Sequence, residues 1–498
     1  MERDRPGRSE ARRPECGRDG RRKSTDYNAR FPPTALCEAA TMSRIIRPSD
    51  IASAHDPARA TPAIQAAIDQ AADDGSGLVE IAPGEYTITT LFLRQGLTLH
   101  LHRGAVLKAH TDLADYPALS RPTSPDRPRW HLLVADGLEG LTIQGDGIID
   151  GQGMAFWDPP LEGTPGGRFW YRHRDNRRLH PLLELRNCRD VILRDFTIRD
   201  APGWTIHPFC CDNVTIRGIT LRNHLYGPNT DGIDVNGCRN VFISDCDLTC
   251  GDDAIILKST RDARTCENIV VTNCILSSNC AVLGLGAEVT HAIRNVTFSN
   301  CTVRQALRIV QLEMWEAGII ENVAISNISG RTMTEVPLER PIYLDIQQHG
   351  RPDPALGRMR NISISNFTVT TRGRIMLTAQ DGAAIEDVTL RDIHLHYPEI
   401  EDASKTVPAS RSTQMSNYNP HSRAANSAVV ADNVRRLNLH NIATTWPSNP
   451  QVPYHALFCR NVEQATIDCP LLTPSRADVA PIAQTHSTLT VRALGTST

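Results

Sequence analysis

Hydrophobic and polar residues alternate in short segments along most of this chain, and the segments repeat. Two examples are CDNVTIRGITLRN at 211–223 and CRNVFISDCDLTC at 238–250, where apolar residues occupy alternate positions. Period-two alternation of this kind predicts short strands that bury one face. Each repeat also carries one marker Asn or Asp, spaced by 23 to 39 residues: Asp190, Asn213, Asn240, Asn268, Asn295, Asn322, Asn361 and Asp387.

A period of this length without helical periodicity predicts an all-β solenoid, the parallel β-helix. Each repeat is then one coil, and successive coils stack at the strand spacing of about 4.8 Å. Upstream, residues 60–75 predict a helix with Thr61 as N-cap and Pro62 at the first helical position. This helix is expected to cover the open end of the solenoid. Its apolar face is formed by Ile64, Ile68 and Ala71.

Composition divides the chain into an extension and one domain. Residues 1–41 are rich in Arg, Glu, Gly and Pro, cannot bury a core and are predicted to be disordered. Residues 42–498 are predicted to form a single β-helix domain. Two insertions break the repeat near 156–181 and 398–427, and both are expected to lie on the groove side. The basic residues near the end of the first insertion, expected to be surface charges, are Arg177, Arg178 and His180.

Bulk composition excludes some classes of partner. The chain is 40% hydrophobic and 22% charged, with a formal net charge of −3. This balance gives no electrostatic reason to expect nucleic acid or an anionic membrane as partner. No apolar run approaches the roughly 20 residues of a membrane helix. Because the first residues also lack the apolar region of a secretory signal, a cytoplasmic location is expected.

Cysteines follow the repeat instead of forming a disulfide or metal-binding pattern. They make two columns along the solenoid, one two residues before the marker position and one six residues after it. A small buried hydrophobe fits such a column, so buried thiols are predicted, although stacked neighbours could also oxidise. None of the spacings is that of a metal site, and no metal or cofactor is predicted. The column residues are Cys188, Cys211, Cys238 and Cys266, then Cys246, Cys274 and Cys301.

Two acidic clusters, NTDG at 229–232 and GDDA at 251–254, each stand just before an alternating segment. Asn, Asp and Gly are turn formers, so turns alone are one interpretation. When the segments that follow are superposed, however, Asp231 and Asp253 fall on the same face, one coil apart, with Asp252 beside them. Like charges this close raise at least one pKa, which is how an acid and a base coexist at neutral pH. The register therefore favours a catalytic site.

These clusters, together with other segments of the chain, resemble the polygalacturonase-type glycosidases of glycoside hydrolase family 28. The matching segments occur in order over roughly residues 50 to 400: DPARATPAIQAAIDQA, LFLRQGLTLHLHRGAVL, GDGIIDGQG, APGWTIHP, NTDG and GDD. The resemblance implies a right-handed parallel β-helix and inverting hydrolysis of a glycosidic bond. It also implies that Asp252 is the general acid and that Asp231 and Asp253 activate water, with carboxyls about 6.5–9.5 Å apart.

Two motifs of the family are altered here. The Gly-His-Gly motif corresponds to CAVLGLGAE at 280–288, with Ala281 in place of His. The Arg-Ile-Lys motif corresponds to LRIVQLEMW at 307–315, where Arg308 remains and Val310 stands in place of Lys. If Val310 points inward, Gln311 and Glu313 face the groove instead. The loss of a cation weakens recognition of a galacturonate carboxylate, so a neutral or rhamnogalacturonan-type pectic substrate gains weight.

Further residues are candidates for binding the carbohydrate. Lys258 is expected to be a cleft cation; a plain surface lysine is the alternative. His207 either lines the groove or makes a structural hydrogen bond, and Asn229 either orients Asp231 or simply forms the turn. The substrate-binding candidates are Lys258, Asn229, His207, Asp234 and Arg308.

Two other functions remain compatible with a β-helix. A polysaccharide lyase or epimerase would use Ca²⁺ on the carboxylates with an Arg or Lys base. A non-catalytic carbohydrate-binding solenoid would not depend on Asp252.

Overall fold

Stacked parallel strands make up most of the computed structural model. It describes residues 44–47, 60–119, 130–160, 170–173, 177–332, 339–348, 355–405 and 420–496. The extension predicted as disordered, residues 1–41, lies outside the described residues. Residues 43–498 form one compact unit.

The strands and helices follow one another in coils of similar length. The first coils contain β1 (Arg44–Ile46), α1 (Ala60–Asp73), β2 (Leu78–Ile81), β3 (Gly84–Ile88), β4 (Leu91–Phe92), β5 (Thr98–Leu101), β6 (Ala105–Ala109), β7 (Leu133–Asp136), β8 (Thr142–Gln144) and β9 (Ile148–Asp150). The first insertion contains β10 (Trp157–Asp158) and β11 (Arg172–His173).

The middle coils contain β12 (Leu183–Arg186), β13 (Arg189–Arg194), β14 (Thr197–Arg199), β15 (Ile206–Phe209), β16 (Asp212–Arg217), β17 (Thr220–Arg222), β18 (Ile233–Asn236), β19 (Arg239–Ser244), β20 (Asp247–Cys250), β21 (Ile255–Ser259), β22 (Cys266–Thr272), β23 (Ile275–Ser278) and β24 (Ala281–Val289). The last coils contain β25 (Ala292–Gln305), β26 (Arg308–Met314), β27 (Ile319–Arg331), β28 (Arg340–Ile346), β29 (Arg358–Thr370), β30 (Ile375–Ala379), β31 (Ile385–His396), α2 (Pro420–Ala424), β32 (Ser427–Thr445), β33 (His455–Glu463), β34 (Ala465–Cys469), β35 (Ile482–Thr485) and β36 (Leu489–Leu494).

Pairing is parallel from coil to coil, and it creates long columns of strands. The column that matters for function, here called the front sheet, runs through β7, β12, β15, β18, β21, β24, β26, β28 and β30. The predicted fold class is confirmed: the chain is a right-handed parallel β-helix.

The register of the front sheet is the predicted one. Ile233 of β18 lies beside Ile255 of β21, and Ile255 lies beside Leu283 of β24. All three side chains are buried in the core, because alternate residues of a strand point to the same side. The pairing of β21 with β24 shifts after Leu257, where β24 carries two extra residues before pairing resumes.

The marker residues form a ladder along the outside of the coils. Each adopts a left-handed backbone conformation, for example φ 62° at Asn268, which Asn and Asp tolerate better than other non-glycine residues. The amide of Asn268 donates to the side-chain oxygen of Asn240 at 3.1 Å and accepts from Asn295 at 3.1 Å. The same side-chain bond links consecutive markers from Asp190 to Asn361. One residue type therefore supplies both the turn and the contact between coils.

The cysteine columns are buried free thiols, as predicted, among the residues that the structure describes. The Sγ atom of Cys211 accepts from the backbone N–H of Cys188 at 3.4 Å, and Cys238 does the same for Cys211 at 3.3 Å. Burial raises the pKa of Cys266 to about 12, so its thiol stays protonated.

Helix α1 buries the predicted face, Ile64, Ile68 and Ala71. The predicted N-cap position is wrong, because α1 begins at Ala60 and Thr61 lies inside it. The Thr61 hydroxyl instead accepts a hydrogen bond from the backbone N–H of Thr89 at 2.8 Å, which ties the helix to the first coils. Neither helix in the described ranges has the length and apolar character needed to cross a membrane.

Candidate active site

The two acidic clusters occupy the turns that lead into neighbouring strands of the front sheet. Asp231 precedes β18, and Asp252 and Asp253 precede β21. The adjacent glycines are required by close packing of these turns. A Cβ on Gly232 would lie 2.4 Å from the carbonyl oxygen of Ala254, and one on Gly251 would lie 2.5 Å from the hydroxyl of Thr230.

Asp231 is almost completely buried, with 4% of its surface exposed. Its backbone carbonyl accepts the Thr205 hydroxyl at 2.7 Å, which fixes the turn. Burial raises the pKa of Asp231 well above its ordinary value, and the neighbouring Asp234 and Asp252 raise it further. Lys258 opposes this shift. The charged form of Asp231 is therefore disfavoured, and the protonated form is favoured relative to an exposed aspartate.

Asp253 is buried beside it, with 8% exposed. Its Oδ1 accepts the backbone N–H of Ala281 at 3.0 Å, and its carboxylate also bonds the Cys280 side chain. Burial, with the charge of Asp252, raises the pKa of Asp253 to about 6. Asp253 is therefore mostly ionised at neutral pH and protonated in mild acid.

Asp252 is the most accessible of the three carboxyls. Its Oδ2 accepts from the amide of Asn229 at 3.4 Å, while its Oδ1 accepts the backbone N–H of Asp253 at 3.1 Å. Asn229 has φ 51° and also accepts from Arg178 Nη2 at 3.2 Å. Both interpretations of Asn229 thus apply, since it forms the turn and contacts an acid, although that acid is Asp252 and not Asp231.

Lys258 is a buried cation and not a surface lysine. Its Nζ forms an ion pair with Glu288 at 2.8 Å and lies 5.3 Å from the ring centre of Trp204. Burial alone would lower the pKa of Lys258, but Glu288 and Asp234 outweigh that effect and hold it above its usual value. The permanent positive charge offsets part of the repulsion among the carboxylates.

Two further candidates, Asp234 and His207, lie within neighbouring strands of the front sheet, Asp234 in β18 and His207 in β15. Asp234 is completely buried, close enough to Asp231 to affect its pKa. His207 is also completely buried, and its Nδ1 is hydrogen-bonded to Glu184 at 2.8 Å. The structural hydrogen bond is thus present. Direct contact of either residue with a carbohydrate stays a prediction.

The structure resolves the register of the altered Arg-Ile-Lys motif. Val310 points inward and pairs with Leu283, so Gln311 and Glu313 lie on the opposite side of β26. Arg308 is buried, and its Nη1 donates to Gln311 Oε1 at 2.5 Å.

Several residues at the site were not found from the sequence. The expectation that Arg178 and His180 are surface charges is wrong, because they are 2% and 5% exposed. Arg178 reaches Asn229, and His180 accepts from the backbone N–H of Trp204 at 2.9 Å. The first insertion has no repeat register, so no pattern pointed to these contacts. Glu184 could have been predicted from the repeat register, because β12 pairs with β15 and places Glu184 directly beside His207.

Cys280 was not predicted as a site residue for a different reason. It belongs to the altered Gly-His-Gly motif, in which only Ala281, in place of His, was considered. Asp252, Asp253 and Cys280 offer three ligand atoms within 4.8 Å of one another. Three donors fall short of the four ligands of a structural zinc site and equal the three protein ligands of a catalytic one. Burial and the charge of Asp253 raise the pKa of Cys280, which favours its thiol form, the form that donates a hydrogen bond.

Comparison with known proteins identifies the family. The model of Glycosyl hydrolases family 28 matches residues 121–415, more than half of the chain. The chain belongs to glycosyl hydrolase family 28. Among curated relatives in this family, a probable polygalacturonase from Vitis vinifera is 27% identical over 277 residues, which are 52% of this chain and 54% of that protein. Another, from Arabidopsis thaliana, is 30% identical over 289 residues, 56% and 57% of the two chains.

The match spans about half the length of these curated relatives. Two solved structures resemble most of the fold. An exopolygalacturonase from Thermotoga maritima superposes with a TM-score of 0.61 at 20% identity, covering 81% of this chain and 92% of that one. The family 28 exopolygalacturonase of Yersinia enterocolitica gives 0.61 at 20% identity, with 86% and 79% covered.

Proposed function

We propose that this protein hydrolyses glycosidic bonds in pectic glycans by inverting acid–base catalysis. The observation that carries the proposal is the set of three carboxyls, Asp231, Asp252 and Asp253, assembled from two neighbouring coils. Burial and mutual repulsion raise the pKa of Asp231 well above its ordinary value and that of Asp253 to about 6, which favours a proton on one member of the set while another is ionised. Family membership and the polygalacturonases among its relatives support the choice of a pectic substrate.

In this mechanism Asp252 donates its proton to the leaving oxygen as the glycosidic bond breaks. A water molecule attacks the anomeric carbon from the opposite face and gives its proton to the Asp231–Asp253 side. In the free protein burial favours the proton on Asp231, which is the reverse of this assignment. A glycan seated on Asp252 would remove that carboxyl from water too, and would shift the proton toward it.

The pKa values predict a bell-shaped dependence of kcat/KM on pH. Activity should rise through about pH 6, as Asp253 loses its proton and becomes a base. It should fall at higher pH, when the last transferable proton leaves the set.

The test is the release of reducing ends from polygalacturonate and other pectic oligosaccharides. Wild type should release them with a chelator present, and Asp252→Asn should lower the rate by roughly 10²–10⁴-fold. Asp245→Asn removes an exposed carboxyl and serves as the matched control. A chelator-sensitive reaction whose product absorbs in the ultraviolet would instead indicate a lyase. Unchanged carbohydrate binding without turnover would indicate a binding solenoid.

A further inference from the structure

Beyond the acids, the front sheet continues into a group of buried or half-buried arginines. Arg308 on β26 pairs with Arg340 on β28, and Arg374 immediately precedes β30. Arg423 belongs to α2, in the second insertion. These four residues, Arg308, Arg340, Arg374 and Arg423, are called the arginine cluster below.

Two members of the cluster, Arg308 and Arg374, donate hydrogen bonds to other residues of the chain. Arg308 donates to Gln311 at 2.5 Å and contacts Cys280 Sγ at 3.6 Å. Arg374 donates to the backbone carbonyls of Ser422, at 3.4 Å, and Arg423, at 2.5 Å, and so holds the end of α2. Both guanidinium groups thus stabilise the chain around them.

Arg340 differs from these two, although only 5% of its surface is exposed. Its Nε contacts Met376 Sδ at 3.1 Å, and its guanidinium carbon lies 4.6 Å from the ring centre of Tyr343. Its Nη1 is buried without a hydrogen-bond partner in the described part of the protein. A guanidinium carries five N–H donors in a planar fork, which matches a carboxylate in bidentate geometry. A buried donor left unbonded costs free energy, so this one indicates a ligand.

Nearby carboxyls are directed to other groups. Asp345 bonds the Thr378 hydroxyl, and Glu313 accepts Trp315 Nε1 at 2.9 Å and Gln347 Nε2 at 3.2 Å. Burial raises the pKa of Asp345 to about 7, so about half of it is neutral at that pH. These carboxyls therefore leave Arg340 Nη1 without a hydrogen-bond partner within the described ranges.

The arginines also affect one another. Burial lowers the pKa of Arg374 to about 10, and Arg340 adds to that shift. Burial and Arg340 likewise lower the pKa of Arg423. An anion between them would relieve this repulsion.

Arg340 lies in the same column of the front sheet as the catalytic carboxyls. The column runs from Asp253 through Ala281 and Arg308 to Arg340, a distance of three coil steps. At the strand spacing this is about 14 Å. A group bound by Arg340 is therefore part of a different sugar unit from the one that is cleaved.

We propose that Arg340, stacked on Tyr343, binds the carboxylate of an acidic sugar unit of the glycan, remote from the scissile bond. The inference rests on the proposed hydrolysis, and it specifies a uronate-containing substrate. Arg340 would also replace the motif lysine that is absent at Val310, because a cation from a later coil can again bind a carboxylate.

Calorimetric titration with trigalacturonate and with its fully methyl-esterified form tests the site. Wild type should bind the acid at least tenfold more tightly than the ester. Arg340→Gln should weaken binding of the acid at least tenfold and leave the ester unaffected, and Arg340→Lys should recover part of the loss. The matched control is Arg391→Gln, an exposed arginine on β31. Thermal unfolding confirms that each variant is folded.

The proposal is overturned if wild type does not bind the trimer, if it binds acid and ester equally, or if Arg340→Gln binds the acid as wild type does. Equal Arg340-dependent affinity for monomeric galacturonate also overturns it, in favour of a site for free sugar acids. The comparison of acid with ester in wild type needs no variant, so a misfolded Arg340→Gln does not block the test. Arg340-dependent binding without hydrolysis would reject the proposed function alone; hydrolysis without preference for the acid would reject this site alone.

Discussion

Asp231 and Asp253 lie one coil apart, both nearly buried, with Asp252 beside them and Lys258 as the buried cation. Folding buries these carboxyls where their charged forms are disfavoured, which lowers the stability of the folded protein. The same burial raises their pKa values, so that a carboxyl can hold a proton for transfer to the substrate. Two predictions separate these effects at the scale of single residues.

Asp231→Asn should abolish catalysis and change how stability depends on pH. The pKa of Asp231 is raised in the folded state, so the wild-type fold is progressively less favoured as pH rises above the unfolded value near 4. The variant lacks this term. Its stability relative to wild type should therefore increase by up to about 1.4 kcal/mol for each pH unit above 4.

Urea unfolding of both proteins at pH 4 and pH 7 measures the difference. A gap between the two proteins that stays the same at both pH values would contradict the account of Asp231.

Lys258→Met should move the acid limb of kcat/KM to higher pH. Lys258 lowers the pKa of Asp253, which lies at about 6 in its presence, so removing the charge raises that pKa. The pH profile of kcat/KM provides the measurement. A midpoint that is unchanged or lower would show that Lys258 does not act on the base.

At the scale of elements, two features position the site: the ladder of markers between coils and the first insertion. The ladder holds each turn in a left-handed conformation and bonds it to the next coil. The insertion contributes Arg178, which contacts Asn229 and through it Asp252.

Asn268→Ala should destabilise the protein more than Asn268→Gly. Both lose the side-chain bonds to Asn240 and Asn295, but only alanine is strained at φ 62°. The difference in free energy of unfolding should be about 1 kcal/mol, from denaturant titration. Equal losses would mean that the backbone conformation does not limit this position.

Arg178→Met should lower kcat about tenfold, since Asn229 would no longer be held against Asp252. Arg177→Met, at the exposed neighbour, is the matched control and should have no effect. Initial-rate kinetics on a pectic oligosaccharide distinguishes the two. A fall in both variants, or in neither, would contradict a positioning role for Arg178.

At the scale of the whole molecule, the features that can be predicted from the sequence are those that follow the repeat. The alternation around Ile233 and Ile255 is enough for the β-helix and its register, and hence for bringing Asp231 beside Asp253. The marker residues predict where each coil turns, while the side-chain bonds between markers are seen only in the structure. Contacts outside the repeat follow no such pattern. Arg178 lies in the first insertion, which breaks the repeat, so its burial could not be predicted from the alternation.

Other features depend on side chains whose partners lie in a later coil. The inward direction of Val310 was open until the pairing of β26 was known. Arg340 belongs to no sequence motif, and its burial and unbonded Nη1 are seen only in the structure.

The most direct test of inverting hydrolysis by this acidic set is proton NMR of the reaction on an oligogalacturonide, recorded from the first turnovers. Wild type should produce the new reducing end first in the anomeric configuration opposite to that of the cleaved bond, and Asp252→Asn should produce none. First appearance of the retained configuration, or an unsaturated product without added water, would contradict the account.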